Sequence, residues 1–376
     1  MLKVGILGGG QLGRMLLQAA ANYPVATSVM ENDADCPAAH LCHHFVKGDI
    51  RHYDDVYTFG KGLDALTIEI ESVNDDALAA LEAEGVKIYP RTPALRIIKN
   101  KIEQKQFYAT HSIPSANFVI TQSLQDLEQH TDFFPGVHKL ASGGYDGRGA
   151  QIIASAQDAG KGFDAPAVLE KKVHIHKARA QSVGVNEAGQ PTLYPPVDMV
   201  FDPELNLLDY QVSPAELTET ILWKVEAIAL KVVKALASPG IFAVELFIDK
   251  VGEVFVNETA PRVHNSGHHT IEGNYSSQFD MLWRIILGYP LGNTAAILPA
   301  AIVNMLGEEN YSGVAQYDGL EDVLQMDNVF VHIYGKKETR PGRKMGHVTI
   351  LSADRKDLTY KQSRIRHVLK VVSGEK

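Results

Sequence analysis

The first twenty residues restrict the fold more than any other stretch. "LKVGILGGGQLGRMLLQAA", Leu2 to Ala20, is an apolar run, a glycine turn and a helical pattern with Leu12, Met15, Leu16 and Ala19 on one face. Strand, tight loop and helix in that order open an α/β unit. "ATSVMEND", "ALTIEIESV" and "VKIYP" read as further strands, and "DDALAALEAEG" as a helix closed by Gly85. The alternation lasts to about residue 95 and predicts a small doubly wound domain on a parallel sheet. Gly8, Gly10 and Gly13 fit G-x-G-x-x-G, whose backbone amides and helix N-terminus can meet a phosphate. Glu31 ends the next strand, where a dinucleotide fold places a ribose-binding acid. Any α/β domain needs a tight first turn, so a structural turn and a phosphate contact both stay open. With the second, an NAD-dependent dehydrogenase stays open too.

From Pro93 the texture changes. "TPALRIIKNKIEQKQFYATHSI" predicts one long helix. "GVHKL", "ASGGYDGRGA" and "AQIIAS" then read as strand, glycine loop, strand, and "APAVLEKKV" as another buried strand. Four glycines in the eight residues Ser142 to Gly149 exceed what a hairpin turn needs. They favour a flap of N–H groups over polyphosphate, with Lys139 just before it as a point charge. "AELTETILWKVEAIALKVVKALAS" is an amphipathic helix stopped by Pro239 and Gly240.

The hairpin "GIFAVELFIDKVGEVFV" leads into "VNETAPRVHNSGHHTIEG", Val256 to Gly273. If its turn centres on Lys250–Val251, Glu258 lies opposite Ala243 and diagonal to Glu245, with Phe247, Val254 and Val256 on the same face. Two carboxylates on an apolar face repel one another and are costly to bury without a cation, which points to Mg²⁺ carrying nucleotide phosphates. Arg262 and Asn265 follow, placed to hold an anion in transfer. Near the C-terminus, "YGKKETRPGRKMGH" gathers Lys336, Lys337, Arg340, Arg343 and Lys344 around Pro341 and Gly342. A solvated charged turn and an anion pocket both fit that run. "HLCHH" holds His40, Cys42, His43 and His44, but no matching ligand pair accompanies it.

The formal net charge of −9 argues against a nucleic-acid or anionic-membrane surface. No run of about 18 apolar residues occurs, and the glycine-rich start is a poor signal sequence. Two cysteines exclude a disulfide framework, so a cytoplasmic location is expected.

These features, in this order, resemble the ATP-grasp superfamily and, within it, the N5-carboxyaminoimidazole ribonucleotide synthetase family, the ATP-dependent carboxylating enzymes of purine biosynthesis. The resemblance rests on "GGGQLGRM", "TIEIESV", "KNKIEQKQF", "GGYDGRG", "VELF", "NETAPRVHNSGHHT", "SSQFD" and "RPGRKMGHVT". The last three are specific to that family. It covers essentially the whole chain. It implies a mixed α/β and α+β protein: a Rossmann-like N-terminal domain over residues 1–97, a two-lobed ATP-grasp core over 98–298 and a small β-rich C-terminal domain over 299–376.

The same resemblance implies that Lys101 and Lys139 contact the phosphates of ATP beneath the flap of Ser142, Gly143, Gly144, Tyr145, Asp146, Gly147 and Gly149, while Glu170, Lys171 and Val173 line the adenine. Glu245 and Glu258 would hold Mg²⁺, two ions being expected. The substrate, 5-aminoimidazole ribonucleotide, would meet Gly10, Gln11, Leu12, Glu71, Tyr145 and Arg148, with its phosphate near Lys337, Arg340, Arg343 and Lys344. Bicarbonate would attack the γ-phosphate to give carboxyphosphate, with Arg262, Asn265 and Arg148 as the catalytic set. A homodimer and a mutase that takes the product are also implied. The sequence departs from the family at Ala178, where a ribose-binding glutamate is usual, at Val185, where an arginine is usual, and at Leu140 and Ala141, where Thr-Arg is common. Two alternatives follow: a formate-dependent transformylase on another ribonucleotide, and a weakened or non-catalytic nucleotide-binding homologue.

Overall fold

A computed structural model describes residues 1–143, 149–201 and 208–374. Its first sheet is parallel throughout, in the order His44–Lys47, Val25–Glu31, Leu2–Leu7, Ala65–Ile68, Lys87–Tyr89. Val4, Ile6, Leu16 and Val29 pack on one side of it, Leu7, Leu66, Ile68 and Leu81 on the other, as the doubly wound reading requires. The strand Ala65–Ile68, next to the central Leu2–Leu7, is shorter than "ALTIEIESV" suggests. Just past its end the Glu69 amide still donates to the Leu7 carbonyl at 3.0 Å, and the Glu69 side chain enters the glycine loop.

The expected long helix is two, Thr92–Lys99 and Lys101–Thr110. Asn100 breaks it with extended backbone, and its side chain accepts from the amides of Ile102 and Glu103. Asparagine competes well as an N-cap, and here it restarts the helix with Lys101 in the first turn. A small antiparallel sheet follows, Phe118–Thr121, Ala167–Lys171, Gly136–Leu140, Ala150–Ile153.

The largest sheet runs Val254–Ala260, Gly240–Asp249, Ile175–Val185, Val197–Phe201, Leu208–Ser213, Ala300–Leu306, Lys344–Leu351, Val329–Ile333, with Pro191–Leu193 paired to Ile175–Val185. Its neighbours are antiparallel, and it passes without a break from the hairpin into the strands after residue 299. Helix Glu219–Leu236, capped by Thr218, covers one face. A further helix, Arg355–Val368, packs over the strands of the C-terminal part. Helix Gln278–Leu287 joins the first domain to the second: Trp283 Nε1 donates to the Leu16 carbonyl at 2.7 Å.

The hairpin corrects the expected register. Its turn places Gly252 at φ +83°, and Asp249 Oδ1 accepts from the amides of Val251 and Glu253. That three-residue loop pairs Ile248 with Val254, one step away from the register assumed from sequence. A bulge between Glu245 and Leu246 then shifts the pairing again, leaving Asn257 as the extra residue. Glu258 therefore lies directly opposite Glu245, not diagonal to it. Val254 and Val256 point the other way, into the core under helix Glu219–Leu236.

Candidate active site

Three carboxylates and three lysines meet where the hairpin faces the two helices around Asn100. Glu245 and Glu258 face each other across the strands. Lys101 Nζ donates to Glu258 Oε2 at 2.6 Å, and the Lys101 amide is tied to the Ala141 carbonyl at 2.7 Å. Lys139 Nζ bridges Asn257 Oδ1 at 2.9 Å and Glu170 Oε1 at 3.0 Å. Lys105 Nζ, one helical turn beyond Lys101, approaches Glu170 Oε1 at 3.3 Å. Asn257 Nδ2 reaches Glu245 Oε2 at 3.3 Å, so the bulge residue links the acids to the lysines.

The electrostatics divide the carboxylates. Lys101 holds the Glu258 carboxyl well below the ordinary carboxylate range. Burial, helped by the charge on Glu258, pushes Glu245 up. Burial also disfavours the charge on Glu170, yet Lys139 and Lys105 keep it below its usual value. Burial pulls Lys105 down to about 8 despite Glu170. Glu245 is thus the one member of the acid pair that lacks a strong cationic partner.

Beyond the hairpin, Arg262 Nε lies 3.0 Å from Glu71 Oε1, joining this face to the N-terminal domain. His264 Nε2 lies 3.7 Å from Glu245 Oε1, and its Nδ1 contacts Ser266 Oγ at 3.0 Å. Asn265 opens the short 3-10 turn Asn265–Gly267.

The first glycine turn already holds a carboxyl group of its own. Glu69 Oε1 accepts from the Gly10 amide at 2.8 Å and Glu69 Oε2 from the Gly13 amide at 3.0 Å. Glu31 Oε2 accepts from the Gly9 amide at 3.1 Å. A β-carbon at Gly8 would come within 2.4 Å of Glu69 Cγ, and one at Gly10 within 2.6 Å of Glu69 Oε1. The glycines make room for Glu69 in the position a pyrophosphate would need. This removes the basis of the dehydrogenase reading. Among the expected substrate contacts here, the Gly10 amide is already engaged and the Leu12 side chain is in the core; Gln11 begins the helix Gln11–Ala20.

Family models match along the chain: a ribonucleotide synthetase preATP-grasp domain over residues 1–99, an ATP-grasp domain over 106–279 and a phosphoribosylaminoimidazole carboxylase C-terminal domain over 300–361. The N5-carboxyaminoimidazole ribonucleotide synthetase structure from Thermotoga maritima is 37% identical, with a TM-score of 0.92, over 99% of this chain and 100% of that one. The chain belongs to the N5-carboxyaminoimidazole ribonucleotide synthetase family. An Aspergillus clavatus N5-carboxyaminoimidazole synthase, solved with ADP and 5-aminoimidazole ribonucleotide, is 30% identical with a TM-score of 0.87, covering 97% of each chain. The chloroplastic phosphoribosylaminoimidazole carboxylase of Vigna aconitifolia is 37% identical over 93% of this chain, which spans 64% of that longer protein.

In this synthetase-family chain the other expected residues fall as follows. Ser142 and Gly143 are exposed after the strand Gly136–Leu140, and Gly149 precedes the strand Ala150–Ile153; Gly144, Tyr145, Asp146, Gly147 and Arg148 lie outside the described residues. Lys171 is exposed and Val173 half-buried beyond the strand that carries Glu170. The basic turn is built by the Arg343 amide on the Arg340 carbonyl at 2.9 Å, with Arg343 Nη1 donating to the Glu338 carbonyl. Lys336 Nζ donates to the Lys344 carbonyl, and Lys337 pairs with Asp35 of the N-terminal domain at 2.8 Å. His40 contacts Arg14, His43 contacts Thr27 and Cys42 donates to the Ala39 carbonyl, so these three side chains of "HLCHH" go to separate partners.

Ala178 shares the face of Glu245, pairs with Phe247 and joins the apolar patch of Ala180, Val197 and Met199. Val185 points the opposite way, into the core with Val232 and Phe242. Leu140 donates its amide to the Gly149 carbonyl, and Ala141 anchors Lys101 as given above. Sequence reading passed over Glu69, Lys105, Asn257 and His264. Lys105 was accessible, being four residues from Lys101 on one helix face. Asn257 joins the site only through the bulge, for which the sequence carries no signal.

Proposed function

We propose that this chain carboxylates the exocyclic amine of 5-aminoimidazole ribonucleotide, using ATP and bicarbonate, to give N5-carboxyaminoimidazole ribonucleotide. The observation that carries the reading is the directly opposed pair Glu245 and Glu258, with Lys101 on Glu258 and with Lys139 and Lys105 on nearby Glu170. These are hard oxygen donors, and burial together with the Glu258 charge pushes Glu245 up; such a pair suits a divalent cation, and Mg²⁺ fits it. Mg²⁺ bound there would neutralise phosphate charge as the γ-phosphoryl group transfers.

The chain's own residues supply the rest. Lys101 and Lys139 bind the phosphates, exchanging part of their present contact with Glu258 and Glu170 for ATP oxygens. Arg262, held by Glu71, and His264, aimed at Glu245, orient bicarbonate on the far side of the acids. Attack of a bicarbonate oxygen on the γ-phosphorus forms carboxyphosphate and releases ADP. The ribonucleotide amine then takes the carboxyl group, phosphate leaves, and the amine proton passes to a base. Excluding water protects the labile acyl phosphate, which is the task of the glycine flap. The basic turn around Arg340 holds the ribonucleotide phosphate. We further propose a cytoplasmic homodimer that hands its product to a mutase; no helix among the described residues is long and apolar enough to cross a membrane.

Phosphate release from ATP, measured with and without bicarbonate and the ribonucleotide, tests this. Turnover that needs both is expected. Turnover with formate in place of bicarbonate would indicate a transformylase, and ADP binding without turnover a nucleotide-binding homologue.

A further inference from the structure

We propose that Gln278 is a positioning residue that aims His264 at the acid pair and thereby sets the turnover rate. The proposal rests on the reaction given above. Residues 261–264 leave the sheet at Ala260 and form no helix or strand, so no ladder pairs them; a backbone bond to His264 runs from the Gly267 amide to its carbonyl at 2.9 Å. Yet the segment carries Arg262 and His264 into the site. Gln278 replaces the missing ladder. Its Oε1 accepts from the His264 amide at 2.9 Å, and its Nε2 donates to the His264 carbonyl at 2.8 Å. One side chain therefore holds both polar groups of a single residue, as a paired strand would. Gln278 is fully buried and opens a helix capped by Ser277, and its own amide donates to Thr270 Oγ1 at 2.9 Å. Gly267 lies against it so closely that a β-carbon there would sit 2.4 Å from Oε1. The amide group has one place to be. With the His264 backbone fixed and its Nδ1 beside Ser266 Oγ, its Nε2 is left to face Glu245.

Three variants test this by steady-state phosphate release, with thermal unfolding beside it. Gln278→Leu keeps the bulk and loses both bonds; kcat should fall about 10²-fold while KM for ATP changes less than about twofold, because a displacement of the order of 1 Å at a positioned group costs that much. Gln278→Glu keeps the acceptor for the His264 amide but sets an oxygen against the carbonyl, so kcat should fall by about tenfold. Trp283→Phe loses a buried hydrogen bond in the same helix, away from the acids; it should lower the unfolding temperature and keep kcat within about twofold. The proposal is overturned if Gln278→Leu keeps more than about a third of the wild-type kcat, if its KM for ATP rises in step with the loss, or if Trp283→Phe loses as much. Should Gln278→Leu not fold, Gln278→Glu against Trp283→Phe makes the same comparison. A wild-type chain without bicarbonate- and ribonucleotide-dependent turnover would remove the reaction itself, and this inference with it.

Discussion

Glu258→Gln removes one charge from a cluster of three carboxylates and three lysines. Two losses follow for catalysis. The first is the contact with Lys101 at 2.6 Å; such charge-assisted bonds are worth about 1.5–3 kcal/mol, and the side chain is 40% exposed, so the lower end applies, roughly tenfold in rate. The second is one of the two carboxylates facing the metal position, where even an outer partner matters by about 10- to 100-fold. Turnover should fall by about 10²-fold or more. Folding stability should change little at neutral pH, because two effects oppose. Glu258 has a depressed pKa, so its stabilisation is present above the ordinary value of 4.5 and lost as pH falls through the lower folded value. Its removal also takes away the charge that adds to burial in raising Glu245. The assay is phosphate release at saturating Mg²⁺, ATP, bicarbonate and ribonucleotide, with circular dichroism to show an intact fold. Near-wild-type release by Glu258→Gln and by Glu245→Gln would refute the metal assignment.

Lys105→Met should flatten the dependence of stability on pH. The folded pKa is lowered from 10.5 to about 8, so the unfolded chain binds more protons between those values and the wild type gains stability as pH rises through them, by about 3 kcal/mol. Urea unfolding of both proteins across that range checks it; parallel curves would mean that Lys105 is not held against its charge. Arg340→Ala should raise KM for the ribonucleotide about tenfold and leave KM for ATP unchanged, with a smaller effect from Lys337→Ala, whose side chain is 68% exposed and already paired with Asp35. An equal rise for ATP would put the basic turn in the wrong pocket. Ala178→Glu places a carboxylate on the Glu245 face where the apolar patch now lies, and should tighten ATP about tenfold by calorimetry if the ribose hydroxyls meet it. Equal or weaker binding would mean that another residue holds the ribose.

Much of the architecture was legible before any coordinates. Apolar periodicity and glycine punctuation reveal the opening α/β unit, because these patterns depend on local backbone geometry and on which face each residue buries. The motifs "NETAPRVHNSGHHT" and "RPGRKMGHVT" reveal the family, since they list side chains that the chemistry requires. The sequence by itself thus determined the parallel first domain, the family and the residue types of the site. Tertiary structure decided how they meet. Gly8, Gly10 and Gly13 fit a phosphate cradle equally well until Glu69, 56 residues beyond Gly13, is seen filling it. A turn one residue longer than assumed and a single bulge bring Glu258 opposite Glu245 and draw Asn257 into the lysine network. Gln278 reaches His264 only because a helix from further along the chain docks on an irregular segment. The physical reason is the same in each case: strand register and side-chain contacts depend on distant partners, and a one-residue shift in a strand, invisible in local pattern, sends every side chain to the opposite face.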